Sequence, residues 1–390
     1  MRRLKILFVA TKPPWPPVDG GRLLVRDTVA ELARQGHRVT LVAPAGGASA
    51  AADAPPGVDA LLVPARPRSL LTSLVLAQLR GGAATLVRHS SAPVRAEVAR
   101  LLDAGGWDVV HAEQLQALAQ AAPAFERGVP VVFRAQNVES DLWAATAAAL
   151  GTARGLLARR EARRLARAEG AAVARAGATV ALTAEDAGRL AELAGGGARP
   201  RVARVPLAAS LPAADAPLPG DPALVMLGSE GWLPNRDAAD WFVDGVWPAV
   251  RAALPGARLH VFGPLRRGGA GLELHPPPDE SRDAFAPGAV LVVPLRIASG
   301  VRMKILEAWA RGVPVVATPA AAGGLDAEDG RELLVARDAE GFADACRRLR
   351  REPGLASSLI DAGRRRLAER HDPARVTAQL VEVYREAGAR

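Results

Sequence analysis

Short, continuously apolar runs rich in β-branched residues recur along the first half of the chain. They are KILFVAT (5–11), RVTLVAP (38–44), DALLVP (59–64), DVVHA (108–112), VPVVFRA (129–135) and ATVALT (178–183), with room for a helix between consecutive runs. Apolar and polar positions do not alternate within them, which is the pattern of strands covered on both faces in a parallel sheet. Between the first two lies GRLLVRDTVAELARQGH, where Leu24, Thr28 and Leu32 repeat at helical spacing and Gly36 supplies a stop. Strand, helix and strand in this order make a βαβ unit.

The pattern is interrupted by PLAASLPAADAPLPGDP (206–222), whose prolines and missing periodicity mark a linker. It then restarts, with strands expected at 223–228, 257–263, 289–295, 313–319 and 332–337. A chain of 390 residues exceeds what one core usually serves. The expected architecture is therefore α/β, with two domains at 1–206 and 223–370 joined by a linker at 207–222. The tail PARVTAQLVEVYREAG, within 371–390, is amphipathic and must cover a sheet face.

Composition narrows the function classes. The single cysteine, Cys346, excludes an internal disulfide and a cysteine metal cage. Six histidines scattered along the sequence and the lack of an Asp-x-Asp pair lead to the expectation of no metal site. No Gly-x-Ser-x-Gly elbow is present to suggest a hydrolase nucleophile. MRRLKILFVAT has too short an apolar stretch for a signal segment, and no other window offers about 18 uninterrupted apolar residues, so a cytoplasmic location is expected. The net charge of +9 favours acidic partners such as nucleotide phosphates or anionic lipid. Nucleic acid is disfavoured because no aromatic-interleaved basic strand accompanies the charge.

The most informative stretch is VVPLRIASGVRMKILEAWARGVPVVATPAAAGG (292–324), which reads as strand, small-residue turn, helix, strand and Gly-rich loop. With a helix expected from Val301, the turn would present helix N-terminal amides at the carboxyl edge of a sheet, where open α/β folds bind anions. A diphosphate there would meet the amides of Ser299, Gly300 and Val301, with Arg302 and Lys304 adding charge and Glu307 accepting from a ribose diol. The competing reading makes Arg302, Lys304 and Glu307 a solvated helical face.

At this stretch the sequence resembles the group 1 glycosyltransferases, also called family 4, of the two-Rossmann-domain (GT-B) superfamily, and the resemblance extends over nearly the whole chain. It implies two Rossmann-like domains facing each other across a cleft, with the C-terminal helix crossing back to the first domain. It also implies metal-independent transfer of a hexosyl unit, with retention, from a nucleoside diphosphate sugar to a hydroxyl acceptor that is a glycan, lipid-linked or small. No cofactor beyond that co-substrate is implied.

Family members carry two glutamates around the donor loop. The second corresponds to Glu307 and the first to Ser299, and ASGVRMKILEA matches a subgroup whose loop reads GSGTRLKILEA. The resemblance further covers LGSEGWLPNRDAADWFVDGVWPAV (227–250), where Gly228 and Ser229 let a loop approach the donor and Asn235 caps a helix or faces the site. In TKPPWPPVDGGRLLV (11–25), Gly20 and Gly21 occupy the family's glycine-rich loop, although a tight turn also explains them. The donor set is thus Gly20, Gly21, Gly228, Ser229, Ser299, Gly300, Val301, Met303 and Glu307. Relatives place histidines where Glu113 and Gln136 stand here. Glu113 joins Lys304 and Arg302 as a catalytic candidate, and Gln136, Asn137 and Glu139 are acceptor candidates; His111 either compensates for the missing histidines or, as is commoner inside an apolar strand, is a core residue.

One charge run remains. ARGLLARREARRLARAEGAAVARAG (153–177) is a helical pattern with arginine at most polar positions, either a solvated face or a contact with an anionic membrane surface, worth about 1 kcal/mol per residue. A sugar-nucleotide epimerase or hydrolase on the same scaffold, or a non-catalytic nucleotide-sugar-binding subunit, are the rival functions, because fold alone does not fix reaction.

Overall fold

Burial on both faces requires crossover helices, and the apolar runs accordingly pair in parallel. The computed structural model describes residues 2–46, 51–229, 232–263, 265 and 267–388. Two units emerge: Met1–Pro16, Gly21–Pro206 and Pro373–Arg390 form the first, Pro17–Gly20 and Leu207–Asp372 the second.

The first unit contains strands β1 (Lys5–Val9), β2 (Arg38–Ala45), β3 (Val58–Pro64), β4 (Val109–Glu113), β5 (Val131–Ala135), β6 (Ala178–Ala181) and β7 (Arg201–Val202). They form one sheet in the order β3-β2-β1-β4-β5-β6-β7. Its helices are α1 (Gly20–Arg34), α2 (Leu70–Arg80), α3 (Ala84–His89), α4 (Ala92–Asp103), α5 (Leu118–Glu126), α6 (Glu139–Ala149), α7 (Thr152–Arg175) and α8 (Ala184–Leu193). Every residue of β4 and β5 is buried, so the centre of the sheet is covered on both faces.

Helix α7 is held by two carboxylates. Glu161 accepts from the backbone amides of Ala84 and Thr85 at 3.0 and 2.8 Å, and Glu169 from those of Glu139 and Ser140 at 2.6 and 3.3 Å. Each glutamate satisfies amides that a helix N-terminus leaves open, those of α3 and α6.

The second unit repeats the design with β8 (Ala223–Leu227), β9 (Arg258–Phe262), β10 (Leu272–His275), β11 (Val290–Val293), β12 (Val315–Ala317) and β13 (Leu334–Val335). The order is β10-β9-β8-β11-β12-β13. Counted from the first strand of each unit, both sheets run 3-2-1-4-5-6, the doubly wound Rossmann order, with β7 added in the first. Helices α9 (Leu233–Trp241), α10 (Trp247–Ala253), α11 (Met303–Arg311), α12 (Pro319–Ala322), α13 (Ala339–Arg351) and α14 (Leu355–Arg370) complete this unit. The last helix, α15 (Pro373–Gly388), returns to the first unit, where Leu380, Val381, Val383 and Tyr384 share a core with Ile6, Phe8 and Val132. Two Rossmann-like units and a C-terminal helix that crosses back agree with the fold class expected from the sequence.

Three details differ from the sequence reading. Strands β7 and β10 were not expected; both are short edge strands without an apolar run. Helix α11 starts at Met303 and not at Val301, because Gly300 takes a left-handed φ of 72° and Arg302 is the residue before the first turn. The Pro-rich segment at 207–222 is pinned to its own unit: the amides of Leu207, Leu211 and Ala214 donate to the carbonyls of His371, Ala310 and Phe285 at 2.9, 3.0 and 3.0 Å.

Helix α11 is seated on α14 where Gly363 faces the fully buried Trp309, and a Cβ at 363 would lie 2.4 Å from the Trp309 Cγ. Gly363→Ala overpacks this contact and is expected to cost about 1–3 kcal/mol. Urea denaturation checks it; an unchanged midpoint would show that α11 is not fixed through Trp309.

Candidate functional site

In each sheet the strand order reverses between two central strands, and ligands of such folds bind outside the strand ends at that point. In the second unit the reversal lies between β8 and β11. Lys304, in the first turn of α11, reaches over this point. Its Nζ donates to the Leu227 carbonyl at 2.5 Å and to Asn235 Oδ1 at 3.3 Å. Asn235 in turn donates from Nδ2 to the Ser229 carbonyl at 3.2 Å. It does not cap α9, whose first turn follows Trp232 without a side-chain cap, but links the β8 loop to Lys304. Gly228 makes room for it, since a Cβ there would lie 2.6 Å from the Asn235 side chain. A small cavity lined by Leu227, Asn235, Pro294, Leu295 and Lys304 opens at this point. Burial lowers the Lys304 pKa to about 8, against the neighbouring charge of Glu307, which raises it.

The donor-loop candidates lie next to this lysine along the chain. Ser299, Gly300 and Val301 form the loop between β11 and α11, and Met303 is the first helical residue. Arg302 is buried, and its Nε donates to the Ala321 carbonyl at the end of α12 at 3.0 Å. Arg302, expected to add charge at a phosphate, thus ties the loop before α11 to α12 through this bond. Thr318 does the same from β12 by donating to the Leu295 carbonyl. Glu307 is 2% exposed and not part of a solvated face. Its Oε1 accepts from Ser281 Oγ at 2.6 Å and from Arg311 Nη2 at 3.1 Å. Arg311 also donates to the Pro212 carbonyl and lies over the Phe285 ring.

In the first unit the reversal lies between β1 and β4, and a polar chain crosses it. Thr11 Oγ1 donates to Gln114 Oε1 at 2.8 Å, Gln114 Nε2 to Gln136 Oε1 at 2.8 Å, and Gln136 Nε2 to Glu113 Oε1 at 3.0 Å. Gln114 holds a φ of 69°, a left-handed conformation that costs a non-glycine residue energy and clusters at functional sites.

Glu113 itself is 1% exposed, and Arg134, 2% exposed, donates to it from Nε at 3.1 and 2.9 Å and from Nη2. Arg134 Nη1 donates to Thr28 Oγ1 at 3.1 Å. Burial alone would raise the Glu113 pKa, but Arg134 and His111 hold it down at about 2. Burial lowers His111 to about 4, so at neutral pH its Nε2–H donates to Glu113 at 3.0 Å while Nδ1 accepts from the Tyr384 hydroxyl at 2.7 Å. The Glu113 carboxylate, expected as a catalytic group, is enclosed by its partners, and Gln136, which follows β5, donates to it from the sheet edge. His111, stacked on Phe8 at 4.1 Å, is the core residue the sequence suggested.

The remaining acceptor candidates lie at the start of α6. Asn137 Nδ2 donates to Glu139 Oε1 at 3.2 Å, and burial raises the pKa of Glu139 and takes that of Glu169 to about 7. Gly20 and Gly21 open α1. Sequence reasoning missed Thr11, Gln114, Arg134 and Tyr384. For the first two, the position just after an expected strand was an available signal; nothing in the sequence linked Tyr384 to His111.

Two family models match the chain: one described as glycosyl transferases group 1 over residues 221–352, the other as a glycosyl transferase 4-like domain over residues 19–208. No curated protein matches the sequence. Among solved structures, sucrose-phosphate synthase from Thermosynechococcus elongatus superposes with a TM-score of 0.74 at 17% identity, covering 99% of this chain and 100% of that one. HepE from Anabaena in complex with UDP and glucose gives 0.64 at 15% identity, covering 97% and 99%. A glycosyltransferase from Rickettsia africae gives 0.65 at 11% identity, covering 99% of each. At these identities the likeness shows the two-domain GT-B fold.

Breaking the buried pair tests the first-unit network. Arg134→Met leaves Glu113 charged without its partner and should cost about 3–5 kcal/mol in urea denaturation at pH 7. Because the folded pKa of Glu113 lies below its ordinary 4.5, its contribution in the wild type is complete above that pH and lost as pH falls toward about 2. A wild-type-like midpoint for Arg134→Met would show that the pair does not hold the sheet edge.

Proposed function

The chain belongs to the group 1 glycosyltransferases, and from that premise we propose that it transfers a hexosyl unit from a nucleoside diphosphate sugar to a hydroxyl acceptor with retention. The observation that carries this reading is Lys304. It places an ammonium group at the strand-order reversal of the second unit, beside a glycine-permitted loop and the amides of the β11–α11 turn. HepE, which shares the fold, is described in complex with UDP-glucose. In this reading the donor diphosphate lies against Lys304 and the amides of Ser299, Gly300 and Val301, and Glu307 faces the ribose.

The reaction breaks the bond from the anomeric carbon to the diphosphate oxygen and forms one from that carbon to the acceptor oxygen. The acceptor proton passes to the departing phosphate on the same face, so no protein nucleophile is required. Negative charge grows on the diphosphate as the bond breaks, and Lys304 opposes it in a site where a fixed charge is worth more than in water. Arg302, Asn235 and Gly228 hold the groups that act. In the first unit, Thr11, Gln114, Gln136 and Asn137 supply hydroxyl and amide groups suited to a hydroxylated acceptor.

A lipid-linked acceptor is favoured by the surface of the first unit. Leu70, Leu71, Val75 and Leu79 of α2 and Leu156 and Leu157 of α7 are exposed large apolar side chains. Beside them Arg160, Arg163, Arg164 and Arg167 line an open pocket with Gly81, and Arg164 Nη2 donates to Gln78 at 2.7 Å, tying the two helices. Apolar side chains next to clustered arginine fit the interface of an anionic bilayer. Among the described residues no helix is long and apolar enough to cross a membrane.

Incubation with a panel of nucleoside diphosphate hexoses and polyprenyl or sugar acceptors, read by mass spectrometry, tests the reaction; absence of any transfer product would remove the reading. With a working pair, kcat/KM should fall as pH rises through about 8, where the free enzyme's Lys304 loses its proton. Lys304→Met should lower kcat/KM about 10- to 150-fold and abolish that alkaline limb. In sedimentation with vesicles, the protein should bind phosphatidylglycerol-containing membranes and not pure phosphatidylcholine, and Arg160→Glu with Arg163→Glu should release it. Equal binding to both membranes would refute the anionic contact.

A further inference from the structure

Away from the candidate site, the outer strands of the second sheet bring together a cluster with no role in the transfer chemistry. Strands β9 and β10 pair in parallel with His260 opposite Glu273 and Phe262 opposite His275. Side chains two residues apart on a strand share a face, so His260, Glu273 and His275 all project from the same face of the sheet. His260 Nδ1 lies 2.9 Å from His275 Nε2 and 3.5 Å from Glu273 Oε2, and one ligand atom from each residue falls within 4.8 Å of the others.

We propose that His260, Glu273 and His275 form a binding site for a divalent transition metal, Zn²⁺ in particular. Two imidazoles and a carboxylate are the donor set that zinc takes with three protein ligands, leaving one position for water. Around a metal at about 2.0–2.1 Å, tetrahedral geometry sets the ligand atoms about 3.3–3.5 Å apart. His260 and Glu273 already meet that spacing. His275 must move apart from His260 by a few tenths of an ångström, and as a half-buried residue at the end of an edge strand it has room to move.

The surroundings prepare the ligands. His260 Nε2 lies 2.8 Å from the Pro219 carbonyl, which can only accept, so the ring carries its proton on Nε2 and presents an Nδ1 lone pair to the cluster. A ligating histidine held by a backbone carbonyl in this way is the usual outer-shell arrangement. Glu273 is likewise oriented, with its other oxygen accepting from Arg258 Nη1. The His275 ring is stacked on Phe262 at 4.3 Å and 11°, which fixes its plane. Without metal, His275 donates its Nε2–H to His260; on binding it presents Nε2 unprotonated and keeps its proton on Nδ1, with no proton released from the pair. The metal would fasten β10 to β9 and, through Pro219, to the segment that leads into β8.

The full chain without an affinity tag, treated with EDTA and desalted, is titrated with Co²⁺ and then Zn²⁺. The expected result is one equivalent of Co²⁺ with the intense visible absorption of a four-coordinate site, displacement by Zn²⁺, and a higher melting temperature with either metal. His275→Ala and Glu273→Gln, both at half-exposed positions, should melt like the metal-free wild type. They should lose more than the roughly 10- to 100-fold in affinity that follows loss of an outer-shell partner. No stoichiometric binding by the wild type, or wild-type affinity in both variants, would overturn the proposal.

Discussion

Every strand of the two sheets lies parallel to its neighbours. Parallel pairing forces each strand to be followed by a crossover and brings all strand ends of a unit to one edge, where the backbone stops bonding to itself. Polar side chains placed just after a strand are therefore gathered without any sequence motif. In the first unit the gathered groups are Thr11, Gln114 and Gln136; in the second they are Gly228, the turn before α11, and Lys304. One unit thus presents a neutral amide and hydroxyl edge and the other an ammonium, the contrast from which the proposed acceptor and donor sides are argued.

Charges inside the protein serve this arrangement more than they add stability. An enclosed ion pair roughly breaks even against apolar packing, but once present it tolerates no missing partner. Glu113 and Arg134 make the positions of Gln136 and His111 mutually dependent, and Tyr384 extends that dependence to α15. Glu161 and Glu169 use the same economy differently, binding helix amides on one side of α7 so that its arginines face outward.

The legible part of the structure was the part written in continuous apolar runs. Those runs disclosed the central strands and hence the reversal points, because burial on both faces leaves a signature that tertiary context does not alter. Strand β10 escaped because LELH is too short and too polar to register, and with it escaped the cluster on which the zinc proposal rests. His260 and His275 look scattered, being 15 residues apart, until parallel register sets their strands side by side. Roles were harder to read than places. Glu113, Arg302 and Glu307 were chosen for their charge at strand ends or helix starts, yet whether such a charge faces solvent or the interior depends on partners distant in sequence. Arg134, Ala321 and Ser281 supply those partners.

Glu307 shows why that distinction matters for function. Its Oε1 is shared by Ser281 and Arg311, and Arg311 also holds the Pro212 carbonyl in the segment that precedes β8. In the proposed reading, a ribose hydroxyl donating to Oε1 would compete with Ser281 and Arg311 for the same acceptor. Donor binding at Glu307 would then be transmitted to Pro212 through one arginine, with no movement of the sheet required. An exposed glutamate on a solvated helix face would bind a ribose equally well in geometry but would carry no such message. In the proposed reading, its burial would couple the donor contact to the connecting segment through Arg311.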